Sequence, residues 1–265
     1  MPGSIRGPDD DREGRPMTGV TARDTTVGGR AAALLPRLAL AGLATGVALM
    51  VLLQLLPPTS AISPTRRTIS EYGLTSNKWL FDLAVLLVAA GSAVAFAALV
   101  RRRLVRPISA ATVFGTLWSL GLLAVVAFPK TDWAVGPSVA GSIHRWASVV
   151  AFVCLPVAVI AAARAAFAHS PGRRRVVQAL GVLSLLWFGL ILAAVARWLA
   201  GGEPWWRALP LGLVERLMAL TEVLAVAALA LGLARHGGVP PTAAGDPSGA
   251  VTALDYEPGS GSFRR

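Results

Sequence analysis

Six long apolar runs are the feature of this sequence that most constrains its fold. A helix needs about 20 apolar residues to cross the hydrocarbon core of a bilayer. In lipid the backbone must satisfy its own hydrogen bonds, so runs of this length predict membrane-spanning helices. The predicted fold class is therefore all-α, an integral membrane six-helix bundle. The runs cover residues 38–56, 79–100, 108–128, 146–163, 176–196 and 209–234.

The two ends of the chain differ from this apolar middle. Residues 1–30 are polar, and residues 237–265 are rich in Gly, Pro, Ser and Ala. Neither segment has the apolar content to offset the entropy lost on ordering, so we expect two disordered tails around a six-helix domain at 31–236. The first run starts past residue 30 and is long enough to span, which argues against a cleavable signal peptide. Met17 is a second candidate start.

The distribution of basic residues predicts how the bundle is oriented. About two thirds of the 25 Lys and Arg side chains lie in the tails and in the turns after the second and fourth runs, as in Arg101–Arg103 and Arg173–Arg175. The positive-inside rule places these segments and both termini in the cytoplasm of a cell-membrane protein. Tryptophan indoles favour the membrane interface, and most of the tryptophans fall at the opposite boundary. These are Trp79, Trp133, Trp146, Trp198, Trp205 and Trp206.

Charge and cysteine content exclude several classes of function. The net charge is +11, but the arginines sit at helix ends rather than along one face, so we expect no nucleic-acid partner and take membrane lipids as the partners. Cys154 is the only cysteine and lies in the fourth run, which excludes an internal disulfide and a cysteine metal cluster. No cofactor and no metal site are expected.

Glu222 is the sharpest single signal for a site. It lies near the middle of the last run, where a bare carboxylate costs roughly 2.5 kcal/mol or more on insertion scales. It should therefore face the bundle interior, either neutral or paired, with Arg216 a possible partner. Glu215 lies two helical turns earlier on the same face. The alternative is a buried hydrogen bond that only fixes helix packing.

Other polar residues gather at the predicted outer side. His144 opens the fourth span and can act as a base, a proton relay or a hydrogen-bonding group. Ser70-Glu71-Tyr72-Gly73 is typical of a shaped turn before the second span, with Ser70 or Thr68 as a helix cap and Gly73 able to take a positive φ. The candidate catalytic residues are Ser70, His144 and Glu222. The candidate pocket-lining residues are Ser70, Glu71, Tyr72, Asp82, Asp132, His144, Glu215, Arg216 and Glu222.

These residues, taken in order, resemble a bacterial and archaeal membrane family, the domain of unknown function 998. The resemblance covers residues 38–234 and rests on order, spacing and the six-span frame. It is carried by Ile69–Gly73 with Phe81-Asp82, by Phe128-Pro129 with Asp132, by Gly141 and His144, and by Glu215-Arg216.

A more remote similarity is to a eukaryotic six-span group. That group includes the damage-regulated autophagy modulators and proteins that remodel glycosylphosphatidylinositol lipids. Its Ile-Ser-acidic-x-Gly turn is matched by Ile69–Gly73, its histidine by His144 and its last-span glutamate by Glu222, whereas its usual proline after the glycine is absent here. The similarity implies a lipid-handling role on the outer side.

Three functions remain open from the sequence. The first is a lipid-associated membrane protein with an outer-side polar pocket. The second is an intramembrane hydrolase, with Ser70 as nucleophile, His144 as base and a carboxylate as orienter. Its alternative form, a metal held by His144, Asp132 and Glu222, is disfavoured because no paired-histidine helix motif is present. The third is a proton-coupled transporter that uses Glu222 as a relay, although no inverted repeat is visible. Whether the protein is an enzyme stays undecided at this level.

Overall fold

The computed structural model describes the backbone of residues 21–236 and the side chains of residues 34–235. The expected tail at 237–265 and residues 1–20 of the other tail lie outside the described residues. Within the described range the structure is helical, without a strand. Two short 3₁₀ helices, Thr59–Ala61 and Ile69–Leu74, lie between the first two α-helices. The α-helices are α1 (Thr21–Leu55), α2 (Lys78–Arg101), α3 (Ala110–Ala127), α4 (Val139–Ala166), α5 (Pro171–Leu199), α6 (Trp205–Ala208) and α7 (Leu211–His236).

Six of these helices, all but the short α6, are long and apolar enough to cross a membrane. Each coincides with one of the predicted runs, so the prediction of an all-α, six-span fold is confirmed. The protein is a multi-pass membrane protein. The connections α1–α2, α3–α4 and α5–α7 share one end of the bundle, named here the loop end. The connections α2–α3 and α4–α5 lie at the other, the arginine end.

Three helices, α1, α4 and α5, start well before their predicted runs. α1 begins at Thr21, so residues 21–30 extend the first helix where a disordered tail was expected. α4 begins at Val139, where the side chain of Ser138 accepts a hydrogen bond of 3.0 Å from the backbone N–H of Gly141. His144 thus lies inside this helix instead of opening it. Hydropathy marks where apolar residues begin, whereas a nucleated helix gains one hydrogen bond for each residue added beyond that point.

Close helix packing depends on small residues. α1 crosses α2 at Gly91, where an added Cβ would lie 2.9 Å from the carbonyl oxygen of Ala39. Small side chains let helix backbones approach in lipid, where burial of apolar surface provides little driving force. α7 packs against α1, α2, α4 and α5, which places it at the centre of the bundle. The loop end of α7 therefore meets several helices at once, and the candidate site lies there.

Candidate functional site

A cavity of about 410 Å³ opens among five helices near the loop end, a volume in the range of small-molecule sites. We name it the inner cavity. Its walls are apolar and come from α1, α2, α3, α4 and α7, with Met50, Val88, Trp118, Phe152 and Val223 among them. The polar side chains gather at its loop end. They are Gln54, Ser70, Tyr72, His144, Glu215 and Arg216, with Ser148 one turn further in. The cavity is therefore amphipathic along its length.

Arg216 fastens the α1–α2 connection over this polar end. Its two terminal nitrogens donate to the backbone oxygens of Pro64 (2.9 Å) and Arg67 (2.8 Å) and to the hydroxyl of Tyr72 (2.8 Å). The Tyr72 hydroxyl in turn donates to the amide oxygen of Gln54. Tyr72 is 2% exposed, so the tyrosine end of this network is buried, whereas the contacts with Pro64 and Arg67 lie at the surface. The guanidinium is thus used mainly to hold the connection on α7.

Glu215 shares the same end but keeps part of its carboxylate free. Its Oε2 accepts a hydrogen bond of 2.9 Å from the backbone N–H of Ile69, the first residue of the second 3₁₀ helix. Its Oε1 has no hydrogen-bond partner among the described residues. A carboxylate oxygen can accept more than one hydrogen bond. Glu215 therefore combines a structural contact with an acceptor at the cavity wall.

His144 is held in one tautomer by the end of α3. Its Nδ1 lies 2.9 Å from the carbonyl oxygen of Phe128. A carbonyl oxygen only accepts, so Nδ1 carries a proton and donates it. In the neutral imidazole Nε2 is then an acceptor, and no described residue donates to it. The ring is 6% exposed and lines the inner cavity, so it offers a proton acceptor to a bound molecule.

Ser70 also lines the inner cavity, but its hydroxyl interacts locally. It lies 3.1 Å from the hydroxyl of Thr68, the residue before the 3₁₀ helix, and within the described range no hydrogen bond joins it to His144. Thr68 occupies the expected cap position without a side-chain cap bond. Gly73 is not at a positive φ, against expectation. A Cβ there would instead press to 3.3 Å from the Phe81 ring, which favours glycine on grounds of space.

Glu71 and Asp132 face a second, more polar groove on the outside of the α1–α2 connection. We name it the outer groove. Glu71 forms an ion pair of 2.5 Å with Lys130, whose ammonium also lies 2.7 Å from the hydroxyl of Thr68. Asp132 is exposed and accepts a hydrogen bond from the backbone N–H of Ala134. The outer groove is therefore bordered by residues that hold two loops together.

Asp82 and Glu222 lie apart from both sites. Asp82 pairs with Lys78 one turn earlier in α2 at 2.6 Å. Glu222 is 1% exposed, and its Oε1 accepts a hydrogen bond of 2.9 Å from the hydroxyl of Ser184 on α5, while its Oε2 has no hydrogen-bond partner. Arg216, a possible partner of Glu222 from the sequence, instead donates hydrogen bonds to the α1–α2 connection. The sequence predicts that Glu222 and His144 line one pocket, but only His144 lines the inner cavity. Glu222 instead faces α5, which packs against α7 at that depth.

Some residues of the inner cavity escaped the sequence reasoning. Gln54, a lone amide in the first apolar run, is the clearest case, because the argument applied to Glu222 would have found it. Trp118 of α3 also lines the inner cavity and is not among the candidate residues. Among the side chains of residues 34–235, no group of three or more His, Cys, Asp or Glu is placed to hold a metal ion.

Comparison with known proteins identifies the family of this chain. A family model described as "Protein of unknown function (DUF998)" matches residues 39–232, which is most of the chain. The chain belongs to this family. The match runs from α1 to α7 and so includes every wall of the inner cavity. Searches of curated proteins and of solved structures return no match. The sequence-based resemblance to this family is thus confirmed.

Proposed function

We propose that this protein binds a lipid-like amphiphile in the inner cavity, with the polar head at the loop end and the chain between the helices. The observation that carries the proposal is the cavity itself, apolar along five helices and polar at one end only. Ligand sites are typically mostly apolar with a few convergent polar groups. A molecule with one polar end matches this arrangement better than a uniformly polar solute does.

The cavity wall also reaches the lipid-facing surface. Val51 of α1 and Leu220 of α7 both line the cavity, and they are 58% and 45% exposed. Apolar side chains exposed on a membrane-spanning helix contact lipid chains. At the water side, Ser70 and Tyr72 of the α1–α2 connection lie over the polar end. These positions favour a ligand that comes from the bilayer rather than from bulk water.

We also propose the orientation that the sequence predicts, with the loop end outside the cell membrane and both termini in the cytoplasm. The support is the bias of Lys and Arg toward the arginine end. With this orientation the inner cavity lies in the outer half of the bilayer. The ligand would then be a component of the outer leaflet.

A second candidate function is hydrolysis of the bound lipid. The specific observation that favours it is His144, whose Nε2 is free to accept a proton inside the cavity. Its test is turnover of an acyl ester by purified protein, compared with His144→Asn. The amide of Asn can still donate to the Phe128 carbonyl while the Nε2 acceptor is lost. Loss of turnover in this variant alone supports catalysis, and absence of turnover in the wild type excludes it for that ester.

The binding proposal is tested by filling the cavity. Ala219 of α7 lines the inner cavity, and Leu224 of the same helix is exposed to lipid and does not line it. Full-length wild type, Ala219→Trp and Leu224→Trp should be purified in nanodiscs, and their bound lipids measured by native mass spectrometry. We expect one retained amphiphile per chain in wild type and Leu224→Trp, and none in Ala219→Trp. Equal retention in all three variants would contradict the proposal.

A further inference from the structure

The hydrogen-bonding groups at the polar end restrict the chemistry of the head that fits there. The cation of the inner cavity is Arg216. Its two terminal nitrogens already donate to Pro64, Arg67 and Gly212 carbonyls, to Tyr72 and to Gln54. Only Nε–H lacks a partner among the described residues. A phosphate or carboxylate is normally clamped by paired N–H donors, and this arginine has no such pair left to offer.

The groups without a protein partner are mainly acceptors. Oε1 of Glu215 and Nε2 of His144 both belong to cavity-lining residues, and neither is hydrogen-bonded by a described residue. Buried acceptors are stabilised by donors, and an anionic head brings further acceptors against them. A phosphate oxygen buried beside Glu215 would also meet like charge. A head group that binds at the polar end therefore has to supply hydrogen-bond donors.

A cationic head satisfies the acceptors but meets the charge of Arg216. The guanidinium of Arg216 and the carboxylate of Glu215 are neighbours in sequence and line the same end. Lys130 is paired with Glu71 and does not line the inner cavity. With Glu215 ionised, the charges that face the inner cavity sum to about zero, and with Glu215 neutral only the positive charge of Arg216 remains. In neither state does an ammonium gain net attraction, and it loses its hydration. An uncharged hydroxyl donates without that loss.

We infer that the inner cavity takes an amphiphile with an uncharged, hydroxyl-bearing head, whose hydroxyls donate to Glu215 and His144. This inference rests on the proposed function, because it names the ligand class of the same cavity. Monoacylglycerols and alkyl glycosides are members of this class. Phospholipids, fatty acids and long-chain amines are not.

The test uses probes that share the unsaturated hydrocarbon chain of oleic acid and differ in the head. Tritiated 1-monooleoylglycerol is bound to full-length protein in phosphatidylcholine nanodiscs, with empty nanodiscs as background. The competitors are 1-oleoyl lysophosphatidate, which adds a phosphate to the same glycerol, oleylamine, which is cationic, and methyl oleate, which lacks a hydroxyl. We expect unlabelled monooleoylglycerol to compete at least about tenfold better than each of these.

Two variants test whether the preference for a hydroxyl-bearing head depends on Glu215 Oε1 and His144 Nε2. Glu215→Gln keeps an oxygen for the N–H of Ile69 and replaces the free acceptor by a donor, and His144→Asn removes Nε2. We expect each to weaken monooleoylglycerol binding about tenfold with little change for methyl oleate. Asp82→Asn, which lines neither site, should bind as the wild type does. If one variant fails to fold, the other still reports.

The outcomes separate this inference from the proposed function. Lysophosphatidate or oleylamine that competes as well as monooleoylglycerol, while Ala219→Trp still abolishes binding, overturns the hydroxyl-head inference and leaves the cavity as a lipid site. Unchanged selectivity in both Glu215→Gln and His144→Asn overturns it as well. If no probe binds the wild type more than Ala219→Trp, the proposed function itself fails.

Discussion

At the scale of single residues, the buried Glu222 shows what sequence periodicity can and cannot predict. Its position mid-span predicted correctly that the side chain is buried. Seven-residue spacing from Glu215 predicted a shared face, yet a straight helix drifts about 20° over seven residues. The two positions are also two turns apart in depth. At Glu222 the neighbour is Ser184 of α5, and nothing in the sequence of α7 reveals which helix packs there.

The first prediction concerns the charge of this carboxyl group. Glu222→Gln should leave folding nearly unchanged, because Gln keeps an oxygen for the Ser184 hydroxyl and its amide replaces the oxygen without a partner. Glu222→Lys should destabilise strongly, since a lysine at mid-membrane costs about 2.5–3.5 kcal/mol on insertion scales. Thermal unfolding in detergent reports both. If Gln destabilises as much as Lys, the carboxylate is ionised and its charge is required.

At the scale of secondary-structure elements, ion pairs differ according to what they connect. Glu71–Lys130 joins the 3₁₀ helix to the α3–α4 connection, and both side chains are about four-fifths buried. Lys78–Asp82 joins two turns of α2 and is more exposed. A double-mutant cycle with Glu71→Gln and Lys130→Met should give a coupling energy of about 1–2 kcal/mol. The matched cycle at Lys78 and Asp82 should give about 0.3–0.5 kcal/mol. Equal couplings would mean that Glu71–Lys130 does not fasten the loops.

A glycine at the start of α7 tests how that helix meets the α1–α2 connection. A Cβ on Gly212 would overlap the carbonyl oxygens of Arg67 and Pro64, whereas a Cβ on Gly189 of α5 meets no described atom within 4 Å. Gly212→Ala should destabilise the protein by about 1–3 kcal/mol, since overpacking forces a backbone shift. Gly189→Ala should be neutral or stabilise by up to about 1 kcal/mol. Thermal unfolding of the two variants decides, and a neutral Gly212→Ala would contradict the contact.

Element boundaries show where sequence reasoning reaches its limit. Apolar runs predict the six spans well, because length and composition alone decide whether a segment can lie in lipid. They predicted the start of α4 poorly, because that end is set by Ser138 as an N-cap outside the apolar run. The cavity depends on contacts between distant segments, such as Glu215 with Ile69. Those contacts carry no periodic signal, so the sequence suggested a common side for these residues but not which of them share one wall.

At the scale of the whole molecule, the distribution of arginines makes a prediction about topology. Reporter fusions at residues 105, 170 and 240 should be cytoplasmic, and fusions at 65, 135 and 203 should be external, because basic residues are retained on the cytoplasmic side. Alkaline phosphatase and fluorescent-protein fusions read the two sides with opposite signals. An external reporter at 170 would reverse the orientation proposed for the loop end.

The central claim, an amphiphile with its head at the loop end of the inner cavity, is tested most directly by an experimental structure of the full-length protein in native lipid. The account predicts chain-like density along α1, α3, α4 and α7, with a head group within hydrogen-bond distance of His144 Nε2 and Glu215 Oε1. A cavity filled only by a continuous file of water, or closed by its own side chains, would contradict it.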